Sequence, residues 1–165
     1  MRIIGIDPGT ATTGFGIIEH DHGRISFVDA GVITTTPGTP MPERLVTLHT
    51  ELAQVIKETA PEQAAVELLF FSTNVTTAIS VGQARGVILL ALAEAGLLPG
   101  EYTPMQIKQA VTGYGGAKKP QIQEMVRILL KLTHIPRPDD AADALAIAIT
   151  HAQQMSLTPV PPRTA

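Results

Sequence analysis

The chain opens with the stretch Arg2-Ile3-Ile4-Gly5-Ile6-Asp7-Pro8-Gly9, an apolar run that stops at an aspartate and a Pro-Gly turn. Three isoleucines in so short a run favour a buried β-strand, and Pro-Gly is typical of a turn. The apolar rhythm resumes over residues 13–19 and again over residues 25–35, with a polar turn between them. We therefore predict three consecutive antiparallel strands, the first of which ends on Asp7.

The rest of the chain alternates between helical patterns and short strands. Leucines and valines spaced by three and four residues predict a helix from Pro42 onward. Further strands are predicted at 63–69 and 101–103, and further helices at 73–97, 104–111, 119–132 and 139–154. This order predicts an α/β fold, with a five-stranded mixed sheet and helices on both faces. The domain would span residues 1–155, followed by a proline-rich, disordered tail at 156–165.

The composition limits the classes of protein to be considered. A length of 165 residues with 44% apolar residues suits one compact domain. The absence of cysteine excludes disulfides, thiolate metal sites and thiol catalysis. No run approaches the roughly 20 apolar residues of a membrane span, and the opening run is too short for a signal peptide. We expect a soluble, cytoplasmic protein with no membrane partner.

The charge of the chain is unevenly distributed. The net charge is -3, yet residues 102–138 hold six basic residues and one acidic residue, a local charge of +5. If Asp7, Glu67, Asp140 and Asp143 were neutralised by metal, the net charge of the whole chain would become +1. Binding to a polyanion is then allowed, although a solvated helical face would explain such a cluster equally well.

Four carboxylates are candidates for one site. Glu67 lies in the apolar run Ala64-Ala65-Val66-Glu67-Leu68, where an unpaired charge would cost several kcal/mol, so it requires a cation. Asp140 and Asp143 are three residues apart on a predicted helix and share a face, although capping of the helix would also explain them. Asp7 could simply order the turn that follows it. Asp139 competes with Asp140, because its spacing to Asp143 also places the two on one face.

The donor set indicates a hard metal ion. Carboxylates without cysteine or paired histidines favour Mg²⁺ or Mn²⁺ over zinc. Three or four carboxylates suit a pair of ions that activate water and stabilise a leaving oxygen. Without metal these acids would repel one another, so a purely structural cluster would be costly. The four together predict metal-dependent hydrolysis of nucleic-acid phosphodiester bonds.

Several motifs add a resemblance to a known family. The segments at 4–10 and 13–16 resemble the first hairpin of the ribonuclease-H-like superfamily. Ala65-Val66-Glu67, Gly82-Gln83-Ala84-Arg85-Gly86, Gln106-Ile107-Lys108-Gln109 and the run Asp140-Ala141-Ala142-Asp143-Ala144-Leu145-Ala146 follow in order. Together, over residues 1 to about 155, these motifs resemble the RuvC-type Holliday-junction resolvases of bacteria.

The resemblance implies a specific activity. Such a protein would be a homodimeric endodeoxyribonuclease that resolves four-way DNA junctions by paired symmetric nicks, in homologous recombination and DNA repair. It would use Mg²⁺, with two ions in each subunit and Mn²⁺ able to substitute. Contact with a branch-migration motor complex is a further implied partnership.

The resemblance also implies residue roles. Asp7, Glu67, Asp140 and Asp143 match the acidic residues of the family, which bind metal and act in catalysis. Lys108 and Lys119 match basic positions associated with DNA contact or catalysis, and we expect Lys119 to balance charge near the transition state. Phe70 matches an aromatic that family members place against junction bases, although Phe71 beside it could fill the same role. Arg85, Lys108 and Lys118 are expected to hold neighbouring phosphates.

Two rival functions start from the same residues. The segment Asp7-Pro8-Gly9-Thr10 also resembles the phosphate loop of actin-like ATPases and sugar kinases. Those proteins clamp nucleotide between two related domains, whereas this chain has room for one and contains no second copy of the loop. A catalytically silent junction-binding module is the other rival, and it conflicts with the retained acids.

Overall fold

The computed structural model describes residues 1–68 and 75–157. Within these ranges the strands are β1 (Arg2–Asp7), β2 (Thr12–Asp21), β3 (Arg24–Thr34), β4 (Gln63–Glu67) and β5 (Gly100–Tyr102). The helices are α1 (Met41–Thr59), α2 (Val75–Glu94), α3 (Pro104–Thr112), α4 (Lys119–Leu129) and α5 (Asp139–Leu157). None of the described helices is long and apolar enough to cross a membrane.

The five strands form one mixed sheet in the order β3-β2-β1-β4-β5. The first three strands pair antiparallel, and β4 then joins β1 in parallel, as does β5 with β4. Helices α1 and α2 pack with an apolar cluster on one face, and α3, α4 and α5 pack with a second cluster on the other. The predicted α/β architecture, with helices on both faces of a five-stranded sheet, is confirmed.

Glycines bring α5 unusually close to the sheet. A Cβ atom at Gly5 would lie 2.2 Å from the carbonyl oxygen of Ala144, and one at Gly14 would lie 2.1 Å from that of Asp140. A side chain at either position would therefore collide with the main chain of α5. The helix meets these glycines with a run of buried alanines, so its main chain packs almost directly on β1 and β2.

Several element ends differ from the sequence-based prediction. Helix α2 ends at Glu94 rather than at residue 97, because Gly96 adopts φ +75 and its N–H bonds back to the carbonyl of Ala93. Helix α4 ends at Leu129 rather than at 132, since Lys131 adopts φ +54. Both ends depend on left-handed residues that apolar periodicity does not detect.

The start of the predicted disordered tail was placed too early. Helix α5 continues through Ser156 to Leu157, and the Ser156 hydroxyl donates to the carbonyl of Ala152 at 2.9 Å. The first proline of this segment is Pro159, and a proline disfavours helix mainly in the residue before it. The remaining predicted tail, residues 158–165, lies outside the described residues.

Candidate active site

Two of the predicted carboxylates end neighbouring parallel strands. Asp7 is the last residue of β1 and Glu67 is the last residue of β4. Because Ile6 pairs with Val66, the two acids follow one another across the same edge of the sheet. Asp7 also pairs with Gly14 of β2, so its side chain lies on the face that the glycines open to α5. Topology therefore brings together residues that are 60 positions apart.

Helix α5 supplies the other two carboxylates. Asp140 and Asp143 lie in its first two turns, where the main chain of Asp140 contacts Gly14. That contact holds the beginning of α5 against the strand position that faces Asp7. The close approach of helix and sheet is thus what brings the acids of α5 to the acids of the sheet.

Three of the four acids line one cavity of about 210 Å³. These are Asp7, Glu67 and Asp143, and the side chains of Lys108 and Lys119 line the same cavity. The rest of the wall is apolar and consists of Pro104, Ile107, Ile122, Ala146 and Ile147. Asp140 is absent from this lining, although its charge acts on Asp7, Asp143 and Lys119.

The carboxylates destabilise one another's charged forms. Burial, followed by repulsion from Glu67, Asp143 and Asp140, raises the pKa of Asp7 to about 8, and Lys119 opposes that rise only in part. Burial also raises the pKa of Glu67, with repulsion from Asp143 adding to it. The pKa of Asp143 is raised mainly by burial, against the lowering effect of Lys119. The cluster therefore holds more negative charge than its own cations neutralise.

Lys119 forms an ion pair with Asp143 of the carboxylate cluster. Its Nζ lies 2.8 Å from Oδ2 of Asp143 and 3.7 Å from Oδ2 of Asp139. The hydrogen bond to Asp143 is the largest factor that raises the pKa of Lys119. Lys108 is half-buried in the same cavity, where it lowers the pKa of Glu67.

The donor chemistry fits a hard divalent cation. The carboxylates supply the oxygen donors that such an ion prefers. The raised pKa of Asp7 and the apolar wall show that added positive charge would stabilise the ionised cluster. As the side chains lie, no three acidic or histidine residues in the described ranges converge closely enough to hold one ion. Because Lys119 bonds Asp143, binding of metal requires these side chains to rearrange.

Asp139 and Asp140 have different interactions in the structure. Asp140 raises the pKa of Asp7, whereas Asp139 does not act on Asp7 and instead forms ion pairs with Arg137 and Lys119. This difference favours Asp140 as the member of the carboxylate cluster. Helical spacing alone could not distinguish the two, because both spacings to Asp143 place the side chains on one helical face, and only the family resemblance selected Asp140.

The predicted DNA-contacting residues have different environments. Lys118 is exposed at the beginning of α4, directly before Lys119. Arg85 instead pairs with Glu101, and only 18% of its side chain is exposed, so it is not free for a phosphate in this conformation. Phe70 and Phe71 lie outside the described residues.

A network that sequence reasoning missed fixes the loop after Asp7. The guanidinium of Arg44 donates to the carbonyl of Thr10 at 3.0 Å and to the hydroxyl of Thr35 at 2.8 Å. The Thr13 hydroxyl donates to the carbonyl of Gly9 at 2.7 Å. These bonds hold the turn that follows the catalytic candidate. No sequence signal pointed to Arg44, since it lies in an ordinary amphipathic helix.

Comparison with known proteins identifies the family. The family model described as crossover junction endodeoxyribonuclease RuvC matches residues 3–151. The crossover junction endodeoxyribonuclease RuvC of Chloroflexus aurantiacus is 60% identical over 152 residues, which cover 92% of this chain and 93% of the relative. The same enzyme of Desulfitobacterium hafniense is 60% identical over 157 residues, with 95% of each chain covered.

Solved structures agree with this family. Thermus thermophilus RuvC in complex with a Holliday junction substrate has a TM-score of 0.90 and 39% identity, with 95% of this chain and 96% of that chain covered. The yeast mitochondrial Holliday junction resolvase shares the fold at a TM-score of 0.68 and 14% identity, covering 93% of this chain and 78% of that chain. These matches confirm the predicted ribonuclease-H-like fold, and the 60% identity to RuvC enzymes favours the endonuclease over the nucleotide-clamping rival. The chain therefore belongs to the RuvC family of crossover junction endodeoxyribonucleases.

Proposed function

We propose that this endonuclease hydrolyses four-way junction DNA at the cavity between β1, β4 and α5, with a divalent metal bound by Asp7, Glu67, Asp140 and Asp143. The observation that supports this most strongly is the convergence of acids from three separate elements, where burial and then repulsion among the acids raise the pKa of Asp7 to about 8. A cluster so short of positive charge gains free energy from a bound cation.

The metal would be Mg²⁺, with two ions in each subunit and Mn²⁺ as a substitute. Bound metal supplies a water of lowered pKa and a Lewis acid for the phosphate oxygens. The side chains of the protein perform the remaining tasks. Asp7 and Glu67 fix the oxygen donors on the rigid sheet, and the apolar wall formed by Ile107, Ile122 and Ile147 limits the access of bulk water.

The lysines would bind the DNA backbone around the cavity. Lys108 and Lys119 line the cavity, so their ammonium groups are placed to neutralise the charge of a phosphate bound there. Exposed Lys118 would contact a neighbouring phosphate. Arg85 could join them only after releasing Glu101. The base-contacting role of Phe70, or of Phe71, remains a prediction of the resemblance.

Two subunits would be needed for paired nicks, and α2 offers a surface for a homodimer. Ile79 and Leu90 of this helix are 59% and 52% exposed, and Val46 on the adjoining helix α1 is 66% exposed. Large aliphatic side chains exposed on adjoining helices are typical of a surface that another chain covers. Branch migration would be carried out by a separate motor complex, and the substrate would place the protein with chromosomal DNA in the cytoplasm.

The test is cleavage of synthetic DNA by the purified protein. Four-way, three-way and linear substrates are incubated with Mg²⁺, with Mn²⁺ or with chelator, and the nicks are mapped. We expect symmetric nicks in four-way junctions only when metal is present. Asp7→Asn should abolish cutting and retain binding of the junction. Asp21→Asn, the same change at an exposed aspartate outside the cavity, should cut normally.

Two outcomes would contradict the proposal. Cleavage by Asp7→Asn at the wild-type rate would remove Asp7 from the site. Junction binding that is indifferent to metal and produces no nicks would favour the silent binding module.

A further inference from the structure

Lys119 links the carboxylate cluster to an acid that lies outside the cavity. Its Nζ is 2.8 Å from Oδ2 of Asp143, which lines the cavity, and 3.7 Å from Oδ2 of Asp139, which does not. The two aspartates are one helical turn apart on α5. A small movement of one ammonium group would therefore exchange one carboxylate for the other.

Asp139 is prepared to receive such an ammonium. Its Oδ1 accepts a hydrogen bond from Nη1 of Arg137, which leaves Oδ2 facing Lys119. The Arg137 contact holds the carboxylate in place, and the pair is well exposed to solvent. A lysine that moved from Asp143 to Asp139 would thus find a fixed partner without the burial of a further charge.

A divalent ion and Lys119 compete for one carboxylate. Asp143 belongs to the proposed metal site, yet its Oδ2 is already bonded to the ammonium. Two cations in contact with one carboxylate repel each other, although water around the half-exposed lysine weakens the repulsion. Binding of metal therefore favours movement of the ammonium away from Asp143.

We propose that Lys119 is the internal counter-ion of the cluster and that Asp139 is its second holding position. In the metal-free protein Lys119 neutralises Asp143. Asp143 would hold a bound metal, and the ammonium would then move to Asp139, where it would remain close enough to the cavity to meet a phosphate. Asp139 is then a positioning residue for Lys119 rather than a metal ligand. The inference rests on the proposed metal site and assigns Asp139 a role within it.

The test measures Mn²⁺ affinity by isothermal titration calorimetry on the full chain without DNA, so that cleavage plays no part. Lys119→Met removes the competing charge and retains the length of the side chain. Since the lysine side chain is half exposed, we expect Mn²⁺ to bind about three- to tenfold more tightly. Lys57→Met removes the same charge from an exposed position on α1, outside the cavity, and should leave the affinity unchanged.

Asp139→Asn tests the second holding position. We expect it to weaken Mn²⁺ binding about two- to threefold in the wild-type background, because the displaced ammonium then lacks a partner. In the Lys119→Met background the same change should have little effect. The coupling between the two positions, rather than either single effect, identifies Asp139 as acting through Lys119.

Each contrary result overturns a defined part of the argument. An unchanged Mn²⁺ affinity in Lys119→Met would refute the counter-ion role and leave the metal site intact. Equal weakening by Asp139→Asn with and without Lys119 would make Asp139 a metal ligand. If the wild-type chain bound no Mn²⁺ at all, both this inference and the proposed function would fail.

Discussion

The metal-free protein should lose stability as the pH rises, and Asp7 should be the main cause. Its pKa is raised from 3.8 to about 8, so the folded chain retains a proton that the unfolded chain releases. The stabilisation is complete below about pH 4 and disappears as the pH passes 8. A rise of about four pKa units at 1.36 kcal/mol each sets a ceiling of about 6 kcal/mol. Side chains relax and water enters when Asp7 ionises, so the effect should be smaller than this ceiling. We expect the free energy of unfolding to fall by about 2–3 kcal/mol between pH 5 and 8.

The assay is urea denaturation in chelator at several pH values between 5 and 8.5. The free energy of unfolding of the wild-type chain should fall across this range. Asp7→Asn, which carries no titrating group there, should give a clearly flatter profile. It should not be entirely flat, because the pKa values of Glu67 and Asp143 are also raised. Asp21→Asn should follow the wild type. A slope in Asp7→Asn as steep as that of the wild type would refute the assignment, as would an inability of Mg²⁺ to restore stability at pH 8.

Two further predictions concern packing and assembly. Gly14→Ala should push α5 back by about 1 Å, because its methyl group would start 2.1 Å from a carbonyl oxygen. We expect the free energy of unfolding in urea to fall by about 1–3 kcal/mol and cleavage to slow about 100-fold. Gly82→Ala, whose methyl group meets nothing within 4 Å in the chain, should not lower the stability. Leu90→Glu should prevent formation of the proposed homodimer in analytical ultracentrifugation, whereas Met105→Glu, at a 67% exposed residue of α3, should not. A stable Gly14→Ala variant, or a dimeric Leu90→Glu variant, would contradict the respective argument.

The sheet was predictable from local patterns. Strands β1, β2 and β3 are runs rich in β-branched and apolar residues between turn residues, and the sequence predicted their bounds to within two residues. The short strands β4 and β5 were also predicted in place, to within two residues. The mixed topology followed from the order of elements, because a helix between β3 and β4 permits a parallel return to β1. Helix ends were less predictable, since Gly96 and Lys131 end α2 and α4 through left-handed conformations.

The candidate site was predictable in its residue types but not in its pairings. Glu67 was identified from burial alone, because a charge in an apolar strand needs a cation. Arg85 was expected at a phosphate and is instead held by Glu101, a contact that depends on how α2 and β5 pack. Helical spacing likewise left Asp139 and Asp140 open, whereas in the structure the charge of Asp140 acts on Asp7 and Asp139 pairs with Arg137.

The contact between α5 and the sheet sets how precisely the acids are positioned. Gly5 and Gly14 meet carbonyl groups of α5, so the separation of helix and sheet is fixed by rigid main-chain atoms rather than by side chains that can change rotamer. Repacking of the apolar cluster elsewhere would alter stability while leaving this spacing in place. The geometry of the candidate site therefore depends most directly on these two glycines, and substitutions there should impair cleavage more than core substitutions of equal cost in stability.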